Sequence, residues 1–202
     1  MMKDLVFVTN NMHKLAEIRQ ILGNHYSIRS LKDIGFDEDI EETAPDLAGN
    51  ALLKARHVHD RFGCDCFADD TGLEVAALDG SPGVYSARYA GENATYADNV
   101  NKLLEAMAGK QNRTARFRTV IALILDNRDY LFEGQVDGEI LTEPHGITGF
   151  GYDPVFRPIE SEKSFAEMPP EEKNVISHRG RALAKLQSFL RERQNKSDLQ
   201  EL

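Results

Sequence analysis

The chain of 202 residues is 41% hydrophobic and 28% charged, a composition that suits one globular domain with a substantial core. Its formal net charge of -9 argues against a protein that coats nucleic acid, because such proteins neutralise phosphates with lysine and arginine. Cys64 and Cys66 suit neither a disulfide framework nor a four-ligand zinc site, so we expect a reducing cytoplasm. The sequence contains no run of 18 apolar residues, and we expect no membrane partner.

The first half of the chain combines one apolar run with helical patterns. Residues 5–8 predict a strand that is covered on both faces, and the apolar spacing after them predicts a helix. A second helix is expected to begin near Pro45 and to end near Gly63. Thr95 and Asp98 resemble a capping box and predict the start of a third helix.

The second half predicts a hairpin followed by a helix. Residues 116–125 are the longest strand candidate, and a four-residue loop leads to a strand at 130–132 that continues over 135–141. The last helix is expected to follow Ser177 as its N-cap. We therefore predict an α/β fold with a mixed central β-sheet flanked by helices, one domain over residues 1–194 and a polar tail over 195–202.

Two adjacent carboxylates follow an apolar segment in the first third of the chain. Asp69 and Asp70 are expected at the end of a strand, before Thr71 and Gly72. Side chains alternate along a strand, so one carboxylate is expected to reach a cleft and the other to be a structural partner, unless the backbone turns at once. The pair suits a divalent cation, and a solvated turn is the alternative.

A second acidic segment precedes the predicted second helix. Residues 37–42 contain five carboxylates, most of which we expect on the surface. One of Glu41 or Glu42 is expected to face inward, and the residues alone leave the choice open. Magnesium often binds through one or two carboxylates together with substrate phosphates, which this arrangement would allow.

Polar residues 9–14 lie between the first strand and the first helix, where the amides and the helix dipole favour an anion. Lys14 would add a positive charge. The alternative is an ordinary asparagine N-cap with a surface lysine.

Two later segments also suit a nucleotide. Phe150 and Tyr152 alternate with glycines and offer rings for stacking, although a hairpin turn capped by an aromatic would have the same residues. Lys173, His178 and Arg179 are expected at the start of the last helix, where positive side chains interact unfavourably with the helix dipole. A bound anion would offset this repulsion. An exposed basic turn is the alternative.

These segments occur in one order along nearly the whole chain: residues 9–14, residues 41–43 leading to Asn50-Ala51, residues 68–73, residues 82–91, residues 150–154 and residues 173–179. Together they resemble the inosine triphosphate pyrophosphatase family, which removes non-standard purine nucleotides from the nucleotide pool. Two segments depart from the family pattern: Thr71 stands where many members have serine, and residues 44–49 replace a commoner glycine and aromatic pattern.

The resemblance implies two lobes with a central cleft, a homodimer, and magnesium-dependent hydrolysis of ITP, dITP or XTP to the monophosphate and pyrophosphate. It makes Asp70 the catalytic carboxylate and a metal ligand, and it favours Glu41 over Glu42 as the second ligand. It also implies a set of substrate-binding residues: Thr9, Asn10, Asn11, Met12, His13, Lys14, Thr71, Phe150, Gly151, Tyr152, Asp153, Lys173, His178 and Arg179.

In the expected mechanism Asp70 orients or deprotonates the attacking water, while Lys14 and Lys173 stabilise the departing pyrophosphate. A donor from His178 or Arg179 would favour bases with an oxygen at the 6-position. The rival interpretations are a nucleotide sensor that does not hydrolyse its ligand, a pyrophosphatase for modified pyrimidine or methylated nucleotides, and, last because of the charge, a nucleic-acid-binding module.

Overall fold

The computed structural model describes residues 3–23 and 26–200. The strands are β1 (Lys3–Phe7), β2 (Tyr26–Arg29), β3 (Cys66–Val75), β4 (Pro82–Gly83), β5 (Thr114–Leu125), β6 (Arg128–Ile140) and β7 (Phe156–Pro158). The helices are α1 (Met12–Leu22), α2 (Leu47–Phe62), α3 (Tyr96–Ala106), α4 (Pro170–Ile176) and α5 (His178–Gln200). Within the described ranges, none of these helices is both long and apolar enough to span a bilayer.

The strands form one mixed sheet. Its order is β2-β1-β3-β5-β6-β7, with β4 paired to β3. Strand β1 is parallel to both β2 and β3, and the other pairings are antiparallel. The predicted mixed α/β fold is therefore confirmed.

Alternation along β5 separates the two faces of the sheet. Ile121, Leu123 and Leu125 pack in the core under α1 and α5, while Ala122 and Ile124 pack in the core under α2. These two cores define a first lobe. A third core lies around α3 and the other end of the long β5–β6 hairpin, and it defines a second lobe.

Two features of the strands differ from the sequence prediction. Strand β3 continues to Val75, so Asp69 and Asp70 lie inside the strand and not at its end. The β5–β6 turn contains two residues, Asp126 and Asn127, and not four. Their φ angles of 51° and 59° suit a tight hairpin turn, and β6 then runs without interruption to Ile140.

The helix ends follow local capping chemistry. Asp46 caps α2 by accepting from the amide of Gly49, and Gly63 ends the helix with a positive φ of 61°. The capping box of Thr95 and Asp98 is confirmed at α3.

The C-terminal helices differ from the prediction. Lys173 belongs to the separate helix α4, so the three basic residues do not share one helix. The segment predicted as a polar tail continues α5 to Gln200, and residues 201 and 202 lie outside the described residues. A polar composition did not end the helix here.

Candidate active site

A central cavity of about 780 Å³, its open mouth included, collects residues from both lobes. Its lining contains these residues predicted from the sequence: Lys14, Asp70, Thr71, Phe150, Gly151, Tyr152, Asp153, Lys173, His178 and Arg179. Asp70 and Lys14, from segments 56 positions apart, thus border the same cavity.

Asp69 and Asp70 point to different surroundings, as the alternation of β3 requires. Asp69 is buried and accepts from Lys14 Nζ at 2.9 Å and from Arg179 Nε at 3.1 Å. Burial alone would raise the pKa of Asp69, but Lys14 and Arg179 hold it well below its usual value. Asp69 is therefore a structural carboxylate that is charged at neutral pH.

Asp70 is the carboxylate that faces the cavity. Its Oδ2 accepts from Asn50 Nδ2 at 3.1 Å, and its Oδ1 accepts from the amide of Thr71 at 2.9 Å. Burial raises the pKa of Asp70, and the nearby Glu42 raises it further, although Lys54 opposes the shift. Asp70 thus binds a proton more readily than an exposed aspartate does.

Glu42, and not Glu41, joins Asp70 in the cavity lining. Lys54 Nζ lies 2.5 Å from Glu42 Oε1, 2.8 Å from the carbonyl oxygen of Asp69 and 3.9 Å from Asp70 Oδ1. Glu41 is exposed and lies outside the lining. Glu42 is therefore the glutamate that faces inward, where the lysine on α2 holds it. Glu41, which the resemblance favoured as the second metal ligand, lies on the surface.

The charged side chains of the cavity form an alternating series that begins at Lys14 and Asp69. Arg179 joins Asp69 to Glu17, whose Oε2 accepts from Arg179 Nη1 at 2.6 Å. Glu17 Oε1 accepts from Lys173 Nζ at 2.9 Å. The series ends at Asp153, whose Oδ2 accepts from the same Nζ at 2.7 Å. Every cation in the series has an acidic partner before any ligand binds.

Aromatic rings cover one wall of the cavity. Phe150 stacks on His13 with ring centroids 5.3 Å apart, and Lys173 Nζ lies 4.9 Å from the Phe150 centroid. His178 stacks on Phe117 at 4.4 Å. Burial and then the nearby Arg179 hold the pKa of His178 well below its usual value, so its imidazole is neutral.

The Nδ1 atom of His178 is buried and has no hydrogen-bond partner among the described residues. A buried polar atom that lacks a partner costs free energy. A ligand with a complementary atom would remove that cost.

The segment before Lys14 flanks the cavity instead of lining it. Asn11 caps α1, and its Oδ1 accepts from the amides of His13 and Lys14. Asn10 donates to Asp39 at 2.9 Å, and Met12 is exposed. Thr9 Oγ1 accepts from the amide of Asn11 at 3.1 Å. The predicted substrate contacts of residues 9–14 stay predictions, although Lys14 lines the cavity.

Tyr152 and Asp153 have structural partners as well as positions in the lining. The Tyr152 hydroxyl donates to the carbonyl oxygen of Ser86 at 2.9 Å, and burial raises its pKa. Asp153 Oδ2 accepts from the amide of Phe150 at 2.8 Å and thereby orients that segment.

Comparison with known proteins identifies the family. The model of the Ham1 family matches residues 5–189. The chain belongs to the Ham1 family. The resemblance to inosine triphosphate pyrophosphatases that the sequence suggested is thereby confirmed.

Curated relatives of this Ham1 family member match almost end to end. One from Porphyromonas gingivalis, named dITP/XTP pyrophosphatase, is 58% identical over 94% of this chain and 98% of its own length. Another relative of the same name, from Flavobacterium johnsoniae, is 53% identical over 92% of this chain and 97% of its own length.

Solved structures agree with the fold of this Ham1 family member. The Ham1 protein of Staphylococcus aureus is 38% identical and superposes with a TM-score of 0.86, covering 95% of this chain and 100% of its own. A HAM1 protein from Coxiella burnetii is 42% identical, with the same TM-score and coverage.

Sequence reasoning assigned no role to three residues that organise this Ham1 site: Glu17, Asn50 and Lys54. Glu17 stands three positions after Lys14 on α1, and Lys54 stands four positions after Asn50 on α2. Residues at these spacings share one face of a helix, so this spacing was a signal in the sequence. The spacing did not reveal the roles of these residues, because the side chains that they contact come from distant segments of the chain.

Proposed function

We propose that this member of the Ham1 family hydrolyses dITP, XTP and ITP to the nucleoside monophosphate and pyrophosphate. The observation that carries the proposal is one cavity in which Asp70 and Glu42 face Lys14, Lys173 and Arg179. Acidic groups for a cation and basic groups for phosphates thus meet beside aromatic rings. The curated relatives described above bear the name dITP/XTP pyrophosphatase, which agrees with this activity.

Magnesium is the proposed cofactor, and Glu42 and Asp70 would hold it. Within residues 3–23 and 26–200, no three His, Cys, Asp or Glu side chains gather to form a metal site. Two carboxylates still fit magnesium, which keeps several waters and is completed by substrate phosphates. The repulsion by which Glu42 raises the pKa of Asp70 is a further reason for a cation to bind. When bound, the ion would stabilise negative charge on phosphoryl oxygens.

Asp70 is the proposed general base. Asn50 and the amide of Thr71 fix its carboxylate, and each oxygen keeps a lone pair for the attacking water. A carboxylate fixed in this way can accept a proton from the attacking water.

Lys14, Lys173 and Arg179 are proposed to bind the phosphates. Arg179 donates to Asp69, Glu17 and Thr71, which leaves two of its five N–H groups for a ligand. The alternating series holds these cations in place in advance, so little reorganisation is needed when charge develops on the leaving pyrophosphate.

The ring of Phe150 and the unpaired Nδ1 of His178 are proposed to recognise the base. A neutral imidazole that donates from Nδ1 would match the 6-oxygen of hypoxanthine or xanthine, while adenine has an amino group there. Leaving a buried donor unmatched would weaken the binding of adenine nucleotides.

The assembly and location of the protein stay proposals. We propose a homodimer that acts in the cytoplasm, and light scattering of the purified protein tests the subunit count. A mass of one chain would contradict the dimer.

A substrate panel tests the proposed function. Wild-type protein with magnesium is given dITP, XTP, ITP, dATP and dGTP, and pyrophosphate and single phosphate are measured separately. We expect monophosphate and pyrophosphate from the first three nucleotides. We expect a lower kcat/KM for dATP, whose 6-amino group leaves the donor unmatched, and for dGTP, whose 2-amino group needs an acceptor. Tight binding without pyrophosphate release would instead identify a nucleotide sensor.

A further inference from the structure

Tyr96 lies at the first position of α3 and borders the central cavity. Its ring centroid is 6.0 Å from that of Phe150 and 6.2 Å from that of His13. Its hydroxyl accepts from Asn11 Nδ2 at 3.2 Å. The Tyr96 ring thus extends the aromatic wall that begins at Phe150 toward the mouth of the cavity.

Tyr96 also connects the two lobes. Helix α3 packs in the core of the second lobe through Val100 and Leu103. Asn11 caps α1, whose apolar face packs in the first lobe. The hydrogen bond between Asn11 and Tyr96 therefore joins the lobes beside the place where the substrate would enter.

The backbone around Tyr96 is held firmly although its side chain is 42% exposed. Thr95 and Asp98 form the capping box on either side of it. The buried Asn99 accepts from the amide of Ala90 at 2.7 Å and donates to the carbonyl oxygen of Ala87 at 3.0 Å. An exposed aromatic ring on a fixed backbone loses little conformational entropy when a ligand covers it.

We infer that Tyr96 is a substrate-contacting residue, whose ring covers the nucleoside and whose hydroxyl holds the Asn11 cap in place. The inference rests on the proposed function and adds a residue to the binding of its substrate. The ring of Tyr96 contacts two other rings, and its hydroxyl contacts an uncharged amide, so the residue suits a flat nucleoside. The polyphosphate belongs instead with Lys14, Lys173 and Arg179.

The test replaces Tyr96 by phenylalanine, leucine and alanine, and measures kcat and KM for ITP. We expect Tyr96→Ala and Tyr96→Leu to raise KM at least about fivefold, because each variant loses one stacking contact with the base. Their kcat is expected to stay within about twofold of the wild-type value. Tyr96→Phe keeps the ring, so KM is expected to rise no more than about twofold.

Two control variants lie away from the cavity. Tyr130→Phe removes a hydroxyl that accepts from Arg193 at 2.9 Å, and Leu131→Ala truncates an exposed apolar side chain on β6. Both are expected to keep the wild-type KM.

Binding measurements separate the nucleoside from the phosphates. Tyr96→Ala is expected to raise the Kd for inosine monophosphate by the same factor as KM and to leave the inhibition constant of pyrophosphate unchanged. Two results for Tyr96→Ala would overturn the role of Tyr96. One is an unchanged KM for ITP and Kd for inosine monophosphate, and the other is an equal rise in the inhibition constant of pyrophosphate. A wild-type protein that hydrolyses none of the triphosphates would refute the proposed function, while the Kd for inosine monophosphate would still test Tyr96.

Discussion

Asp69 and Asp70 are neighbours in the sequence with opposite electrostatic surroundings. Lys14 and Arg179 stabilise the charge of Asp69, whereas burial raises the pKa of Asp70. Strand alternation predicted that the two carboxylates would have different roles. The ion pairs that decide which one is structural come from α1 and α5, and no local pattern reveals them.

Replacing Asp70 by asparagine is expected to lower kcat at least a hundredfold, because the proposed general base is lost. The same change should raise the free energy of unfolding at pH 7. A carboxyl whose folded pKa is raised lowers stability above that pKa, and this cost disappears as the pH falls below its unfolded pKa. Kinetics and urea unfolding measure both effects.

The matched control is Asp69→Asn, which leaves Lys14 and Arg179 without their shared carboxylate. Breaking such a buried pair costs about 3–5 kcal/mol, so this variant should unfold at lower urea. Since the folded pKa of Asp69 is lowered, its contribution is present above the unfolded pKa and is lost as the pH falls through the folded pKa. Normal turnover in Asp70→Asn would refute the catalytic assignment.

Glu42→Gln is expected to raise the magnesium concentration for half-maximal activity about tenfold, since one of two proposed ligands loses its charge. The measurement is a magnesium titration at saturating ITP. Glu41→Gln serves as the control, because this residue is exposed, and it should titrate like the wild type. Equal effects of the two changes would contradict the assignment of Glu42.

At the scale of elements, α5 reaches the cavity because β6 has a glycine beneath it. A Cβ at Gly134 would lie 2.1 Å from the carbonyl oxygen of His178 and 2.4 Å from the amide nitrogen of Ala182. These contacts are with backbone atoms of the helix, so the strand and the helix would have to separate. The close approach therefore sets the position of both His178 and Arg179.

Gly134→Ala is expected to destabilise the fold by about 1–3 kcal/mol, the usual cost of overpacking, and to raise KM for ITP. Thermal unfolding and steady-state kinetics test this together. The control is Gly109→Ala at a turn with a φ of 73°, where alanine would be strained but its Cβ would meet nothing within 4 Å, so KM should stay at the wild-type value. A wild-type KM in Gly134→Ala would contradict the positioning role.

The sequence predicts most of the elements but not all of their limits. Apolar spacing identified α2, and the capping chemistry of Thr95 identified α3. The start of α5 after Ser177 was predicted, but the short helix α4 before it was missed. Likewise β3 continues through two charged residues, since long-range ion pairs compensate for burying Asp69.

For the whole molecule, a net charge of -9 coexists with a cavity that suits an anion. The two facts agree because Lys14, Lys173 and Arg179 converge locally, while many of the acidic residues lie on the outer surface. A negative net charge therefore argues against a nucleic-acid coat but is compatible with a small phosphate ligand.

A ligand that contacts both lobes is expected to stabilise the entire fold. Inosine monophosphate at one hundred times its Kd should add about 2.7 kcal/mol, which corresponds to a rise in Tm of roughly 5–10 °C for a chain of this length. Differential scanning fluorimetry measures the shift, with adenosine monophosphate at the same concentration as the weaker-binding control. An unchanged Tm at saturating inosine monophosphate would contradict a shared binding cavity.

The placement of both aspartates inside β3 also limits where related sequences can gain or lose residues. Adding or removing one residue between Cys66 and Asp69 would move every later side chain of the strand to the other face. A deletion would direct Thr71 toward the cavity position of Asp70, and Asp70 toward the basic partners of Asp69. Insertions and deletions in related proteins should therefore accumulate in loops and spare this strand.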